Sequence, residues 1–591
     1  MDNLDDRERK NQPSGQIVFT NKARCRDCYR CVRVCPVKAI RMHKGQAFVV
    51  EERCISCGTC IRECPQGAKS FRDDIERAVR LTAGGKAAAS VAPSFVSVFS
   101  NWEQKRLASA LRRLGFAYVA ETAVGAYYVA HRTAEIAAAR DQAAICTACP
   151  AVVGYVERYR PEAVGMLVPV VSPMLAHAGI IREKLGADTP VVFIGPCVAK
   201  KAEADRPENA GLVDCVLTFQ ELLQWLEREG ISLSGCEESR FDDEPSGAAR
   251  FFPLSGGLAR TASLETDMLA ENVLSVSGFE EVSEVLDTLT QEASSLVVDP
   301  LFCRQGCING PAVPGGKTLY DRRRQVIGYA STGEKAIMKE KTGSLEMRFK
   351  AGALPQDRDV PEADIRAVLE RTGKTKPEDE LNCGACGYNS CREKAVAVIR
   401  GMAEVEMCIP YMRRLAEQRT DRIIETSPNG IVILDERLHI ISMNPAFRHF
   451  FMCSEAVCGR HISYLMDPEP FERLAVGDEE LVETTARHDN YNLICHQILY
   501  PLHEDRQYVG IFVNITNSQS SQEKLEEIRS QTVNQARELL ENQVGMAQQL
   551  ARFLGESTAR SEELVQNLLR LAGDTPGEKG DKGIWDMYTS K

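Results

Sequence analysis

Gly195-Pro196-Cys197-Val198-Ala199-Lys200-Lys201-Ala202-Glu203 decides how the middle of this chain folds. The residues before it, Val191–Ile194, form a short apolar run of strand length, and those after it are helix-favouring. The segment therefore reads as strand, loop and helix, with Cys197 in the loop. The same reading fits Leu301-Phe302-Cys303-Arg304-Gln305-Gly306-Cys307-Ile308-Asn309-Gly310 behind the run Leu296–Val298. It also fits Cys146-Thr147-Ala148-Cys149-Pro150 behind a shorter apolar stretch. With Ala87–Ala92 and the helical stretches between the runs, residues 76–345 are expected to form a parallel α/β domain. Open α/β sheets place their sites in loops at strand ends. Cys149, Cys197, Cys303 and Cys307 can therefore converge although they are far apart in sequence. Lys200 and Glu203 stand i,i+3 on a helix, where a plain ion pair is the ordinary alternative to a functional role.

Toward the N-terminus, residues 1–75 carry two copies of one motif. Cys25, Cys28, Cys31 and Cys35 follow C-x2-C-x2-C-x3-C-P, ending on Pro36, and Cys54, Cys57, Cys60 and Cys64 repeat it, ending on Pro65. In this two-cluster ferredoxin run the fourth cysteine of each copy ligates the other cluster. One [4Fe–4S] cluster is thus expected on Cys25, Cys28, Cys31 and Cys64, and the other on Cys35, Cys54, Cys57 and Cys60. Four thiolates also suit structural zinc, but two complete copies with proline after each fourth cysteine favour iron. Paired clusters imply electron traffic to or from something downstream.

The central arrangement resembles the catalytic domain of the [FeFe]-hydrogenases, whose signatures are approximately T-S-C-C-P, P-C-x-x-K-x-x-E and C-x-x-G-C. The resemblance covers residues 76–345, and the ferredoxin arm fits it. It implies that Cys149, Cys197, Cys303 and Cys307 hold a [4Fe–4S] subcluster. Cys307 would also bridge to a diiron site carrying CO, CN⁻ and azadithiolate, the whole forming an H-cluster. Pro196 would line it, and Lys200, paired with Glu203, would donate a hydrogen bond to a cyanide. The departures matter more. Productive members carry a proton-relay cysteine just before the first ligand, and here that position is Ala148. Cys146, three residues before Cys149, is no positional substitute. Ala130 and His131 align where acidic residues line the family's proton path, and Leu301 and Gly195 replace methionines of the diiron pocket. The resemblance therefore implies H₂ binding with slow turnover.

Past residue 345, Lys350 to Asp379 is charged and irregular, so 346–378 reads as a linker or short helices. Cys383, Cys386, Cys391 and Cys408 give C-x2-C-x4-C-x16-C within 379–415. This resembles a small four-cysteine iron–sulfur domain, and implies a third [4Fe–4S] cluster beyond the H-cluster. Residues 416–520 resemble a PAS domain. The carriers are Asp421–Asp435 as helix, turn and strand, Ile440–Phe447 with its Asn444-Pro445-Ala446-Phe447 helix start, and the strands of Tyr500–Thr516. Cys215, Cys236, Cys453, Cys458 and Cys495 read as small buried hydrophobes. Residues 521–572 read as signalling or docking helices, with Gly555 as a break. Val533, Ala536, Leu540, Val544, Ala547, Ala551 and Leu554 line one stripe. Residues 573–591 read as a disordered tail.

The bulk numbers agree with this picture. The chain has 591 residues, and 44% hydrophobic with 26% charged content is ordinary for globular protein. A net charge of −11 argues against a nucleic-acid surface. The sequence contains no apolar run of the ~20 residues a membrane span needs. Its 22 cysteines, mostly in C-x2-C groups, fit metal ligation in a reducing cytoplasm better than disulfides. The expectation is a multidomain α/β protein: ferredoxin-like two-cluster arm, hydrogenase core, four-cysteine domain, PAS domain and C-terminal helices. It resembles the sensory branch of the family. That implies H₂ as ligand, a redox partner, and a separate kinase or phosphatase reached through the PAS domain or tail, with a homodimer as one expected state. A fast hydrogenase with another proton path, an H₂-independent redox sensor, and an iron–sulfur assembly protein without a diiron site are the alternatives.

Overall fold

The computed structural model describes residues 15–516, apart from 244, 246, 265–271, 292–294, 332–343, 353–358, 478–479 and 503–505. The expected helices of 521–572 and the tail 573–591 lie outside the described residues. The chain divides into two compact units, Met1–Val405 and Glu406–Lys591.

The first unit opens with the cysteine-rich arm. Its strands are β1 (Val18–Thr20), β2 (Ile40–His43), β3 (Gln46–Val49) and β4 (Lys69–Phe71). β1 pairs antiparallel with β4, and β2 with β3. A short helix follows the second cysteine of each motif, Arg30–Val34 in the first and Thr59–Arg62 in the second. The repeat is also written in the backbone. Asp27, Tyr29 and Lys38 take left-handed φ, and so do their counterparts Ser56, Gly58 and Gly67. At Gly58 a side chain is excluded outright, because a Cβ there would lie 2.5 Å from Pro311. Arm and core meet tightly at that point.

The core has strands β5 (Ala88–Val91), β6 (Tyr118–Glu121), β7 (Ala144–Ile145), β8 (Val191–Gly195), β9 (Cys215–Thr218), β10 (Val273–Ser277) and β11 (Val297–Leu301). They form two wholly parallel sheets, ordered β6-β5-β8-β9 and β10-β11-β7. Parallel strands are buried on both faces, and β5, β6, β8 and β9 have no exposed residue. A fully buried triad joins arm to core. Lys201 Nζ lies 2.7 Å from Asp74 Oδ2 and 2.9 Å from Glu221 Oε1, and donates to the Val216 carbonyl at 2.8 Å.

Beyond the core, the stretch read as a linker or short helices contains a helix, Glu362–Arg371. Its Ile365, Val368 and Leu369 pack on Ala395 of the helix Cys391–Ile399. Met42 of the arm donates its backbone N–H to the Met402 carbonyl at 2.9 Å, so this small domain is built onto the arm.

The second unit begins with the helix Ile409–Thr426, capped at its head by Cys408. Strands β12 (Gly430–Leu434), β13 (Ile440–Met443), β14 (Val482–His488), β15 (Leu493–Leu502) and β16 (Gln507–Asn514) form an antiparallel sheet ordered β13-β12-β16-β15-β14. Phe447, Phe451, Phe471, Phe512 and Cys495 fill its core. Cys215, Cys236 and Cys495 are buried, but Cys458 is exposed and Cys453 only half-buried, so these last two are not the core hydrophobes expected. The physical reason for Cys458 is local: it closes the turn Glu455–Val457 just ahead of Gly459, at the surface. Among the described residues no helix is long and apolar enough to cross a membrane.

Candidate metal centre

In the arm, Cys25, Cys28, Cys31 and Cys64 line one cavity together with the buried Lys69. These four come from both motifs, three from the first and the last from the second. Burial pushes the Cys31 thiol up to about 11, Lys69 opposes the rise, and Cys25, Cys28 and Cys64 add to it. The remaining four form a second group. Burial pushes Cys35 up to about 12, reinforced by Cys57 and Cys54, and pushes Cys54 up to about 11. Cys60 rises well above its usual range, chiefly through burial and also through Cys35, Cys57 and Cys54. Backbone N–H groups point at the sulfurs: Ala39 at Cys35 (3.2 Å), Ser56 at Cys54 (3.4 Å) and Ala68 at Cys64 (3.3 Å). Clustered buried thiols resist ionising on their own, and a positively charged centre held among them reverses that. The donor set fits iron–sulfur clusters.

The core thiols converge likewise. Cys149 heads the helix Pro150–Tyr159 just past β7, Cys197 follows β8, and Cys303 follows β11. Burial raises Cys303, and Cys197, Cys307 and Cys149 raise it further. Cys307 is raised by burial, then by Cys149 and Cys197, with Lys200 opposing. Burial pushes Cys197 up to about 12. Lys200 Nζ lies 2.7 Å from Glu203 Oε2, both side chains buried, and it donates to the Ala148 carbonyl at 3.3 Å. The ion pair read as the ordinary alternative is thus present, on a lysine that also faces the thiol group. The second arm group lies on the core side of the arm, where Arg62 donates to the Asn309 carbonyl at 3.1 Å, and Cys57 and Cys303 each feel a thiol of the other group.

The lining beside Cys149 is apolar. Ala130, Cys146 and Leu258 form one buried cluster, with Ala148, Phe252, Ala262 and Val297 packed on it. His131 is not in it and lies 4.3 Å from the Tyr127 ring, centre to centre. Leu301 is buried at the end of β11. A Cβ at Gly195 would stand 2.6 Å from the Phe193 ring, so no methionine fits there without displacing it. Sequence reasoning missed Asp299, a buried carboxylate on β11 near Cys146 and Cys307. Burial pushes it up to about 6, against backbone hydrogen bonds from Ala259 and Leu258, while Oδ2 has no partner. The signal was a lone acid between Val298 and Pro300.

Residues 85–311 match the iron-only hydrogenase large subunit, C-terminal domain. The core has the iron-only hydrogenase large-subunit fold. A 4Fe–4S dicluster domain precedes it at 17–65, an Fe–S cluster family matches 379–410, and a PAS domain matches 418–485. The cytosolic Fe–S cluster assembly factor NAR1 of Vanderwaltozyma polyspora is 36% identical over 15% of this chain and 17% of its own length. The NADP-reducing hydrogenase subunit HndD of Solidesulfovibrio fructosivorans is 26% identical over 53% of this chain and 60% of its own. The chain thus spans less than two thirds of either relative. A solved [FeFe]-hydrogenase, HydA1 of Chlamydomonas reinhardtii, is 17% identical, covering 48% of this chain and all of that one, with a TM-score of 0.39. Along the sequence, the hydrogenase-type match thus follows a dicluster arm and precedes the PAS match.

Proposed function

We propose that this protein is a hydrogen sensor of low turnover that reports the redox state of its iron–sulfur clusters through the PAS domain. One observation carries the reading. Beside the proposed ligand cysteines, Ala148, Ala130 and Leu258 carry no side chain that can pass a proton, and burial holds the Cys146 thiol well above its usual range. Cys149, Cys197, Cys303 and Cys307 would hold an H-cluster, whose diiron site would supply reversible heterolytic cleavage of H₂. Lys200 would face that site, oriented by Glu203 and the Ala148 carbonyl. Proton transfer must keep pace with turnover, and Ala148 supplies none of it; the buried Asp299, pushed up to about 6, would be the acid left for a slow path. The partners proposed are H₂, a redox protein, and a separate kinase or phosphatase; a homodimer is the proposed assembly.

Infrared spectroscopy of the matured protein tests the reading. CO and CN⁻ stretches that change under H₂ support it, and their absence defeats it. The likeness to assembly factors favours a second reading, an iron–sulfur protein without a diiron site. Under that reading the bands are absent while the iron of the cubanes remains.

A further inference from the structure

Lys38 lies where the arm meets the small four-cysteine domain. It stands three residues past Cys35, in a left-handed conformation. Its ammonium has three N–H donors, and three carbonyls accept from it. Two, Val32 and Arg33 at 3.2 Å each, belong to the last turn of the helix Arg30–Val34. The third is Gly387, at 2.7 Å, directly after Cys386. Arg33 adds a second clamp on the same loop, donating to the Ala385 carbonyl at 2.9 Å. The fit is close enough that a Cβ on Gly387, itself left-handed, would lie 3.0 Å from the Arg33 nitrogen. The half-buried ammonium is 5.8 Å from the centre of the Tyr388 ring. Among the described residues it has no carboxylate within ion-pair distance. The charged groups acting on it are Cys35, Glu393, Cys386 and Arg33, so a thiol from each cysteine group is among them. The same two thiols also act on the buried Tyr388.

A helix-capping lysine needs only the two carbonyls of its own helix. The third bond, across to Gly387, fixes the charge between two metal-binding loops far apart in sequence. A cation held there favours added negative charge on either side, and partial burial limits solvent screening of it. We propose that Lys38 is a positioning residue that docks the Cys386 loop and electrostatically favours the reduced state of both flanking clusters, that of Cys35 and that of Cys386. This rests on the iron–sulfur assignment of both groups and not on hydrogen chemistry.

The test is a redox titration of the matured full-length protein, followed by electron paramagnetic resonance. Dithionite, dissociated at its S–S bond into SO₂•⁻ radicals that are oxidised to sulfite, supplies one electron to each cubane, and no bond in the protein is made or broken. The double variant Cys383→Ala, Cys386→Ala identifies the signal of the four-cysteine motif by its loss. Lys38→Met should lower the midpoints of two signals, so that the reduced-to-oxidised ratio at fixed potential falls about tenfold, or about 59 mV for a one-electron couple. The signal of the Cys31 group should stay, since Lys69 is the principal cation there. Lys38→Gln, which keeps a donor for Gly387 without the charge, should behave like Lys38→Met, and Lys38→Arg should restore most of the shift. Unchanged midpoints in either uncharged variant overturn the proposal. So does loss of the four-cysteine signal in both with other iron retained, which makes Lys38 a docking residue only. Absent infrared bands would sink the sensor reading yet leave this titration intact, whereas a wild type without the two signals would sink the cluster assignment itself.

Discussion

Lys200 donates to the carbonyl of Ala148 at 3.3 Å while Glu203 holds it at 2.7 Å. Ala148 thus engages the buried lysine through its backbone, and its methyl side chain offers no proton. Positioned proton transfer contributes about 10²–10⁴-fold to rate. H₂ oxidation by the wild type is therefore expected to be slower than in fast hydrogenases by that order. Ala148→Cys should raise it only in part, because Ala130 and Leu258 keep the neighbouring lining apolar. A hydrogen-uptake assay checks both, and wild-type rates matching the fast enzymes would remove the basis of the sensor reading.

Cys307 faces Cys149, Cys197 and Lys200 at once. If it bridges cubane and diiron site, Cys307→Ser should abolish the CO and CN⁻ infrared bands while the arm clusters persist. Sixteen proposed ligand cysteines, eight in the arm, four in the core and four at 383–408, imply about 18 iron atoms in the matured wild type. Iron near four per chain, or stoichiometric zinc, would contradict the assignment.

Lys201 is 0% exposed between Asp74 and Glu221. Lys201→Met would leave two buried carboxylates without their cation. Breaking such a buried pair from one side costs about 3–5 kcal/mol. The first unfolding transition in denaturant should move down accordingly, and a change under about 1 kcal/mol would show the triad to be relaxed.

His177 is fully buried, its Nδ1 2.8 Å from Ser90 Oγ, which lies 2.8 Å from Thr122 Oγ1. Burial pushes it down from 6.5 to about 4. The folded state resists the proton that the unfolded chain accepts. Stability is therefore full above about pH 6.5 and declines as pH falls toward about 4, by about 3 kcal/mol in all. His177→Phe should flatten that acid limb in denaturant titrations between pH 7.5 and 4.5, and an unchanged slope would assign the limb to other groups.

What could be read from the sequence was what local spacing encodes. The paired C-x2-C-x2-C-x3-C-P motifs announced the arm, and the runs ahead of Cys197 and Cys303 are strands β8 and β11. Asn444-Pro445-Ala446-Phe447 opens a helix as expected. What escaped depends on partners remote in sequence. Nothing near Lys38 points to Gly387, and nothing near Lys201 points to Asp74. The helix Glu362–Arg371 fits the short-helix side of the reading of 346–378, and its Ile365, Val368 and Leu369 step by three and four. The exposure of Cys458 is likewise set by the turn around it and not by its residue type.

Asn444 ties the PAS sheet to the helix that Cys408 caps. Its side chain accepts from Ile431 N (2.8 Å) and Phe447 N (2.9 Å) and donates to the carbonyls of Ile424 (3.0 Å) and Asn429 (2.8 Å). Every hydrogen-bonding position of the amide is engaged, and Ile424 lies in the last turn of Ile409–Thr426. A helix of 18 residues is about 27 Å long, so the element running from Cys408 to Asn444 can carry a change at its head to the sheet. Asn444→Ala strands two carbonyls, at about 1–3 kcal/mol each if they stay buried, and should speed amide exchange around Ile424 and Ile431 whether or not H₂ is present. The double variant Cys383→Ala, Cys386→Ala should act differently. It should keep the diiron infrared bands and residual hydrogen uptake, yet lose any H₂-dependent change in exchange across residues 409–431. If the wild type shows no such change under H₂, or the double variant keeps it in full, the four-cysteine motif is not the relay, and any hydrogen signal leaves the protein by another route.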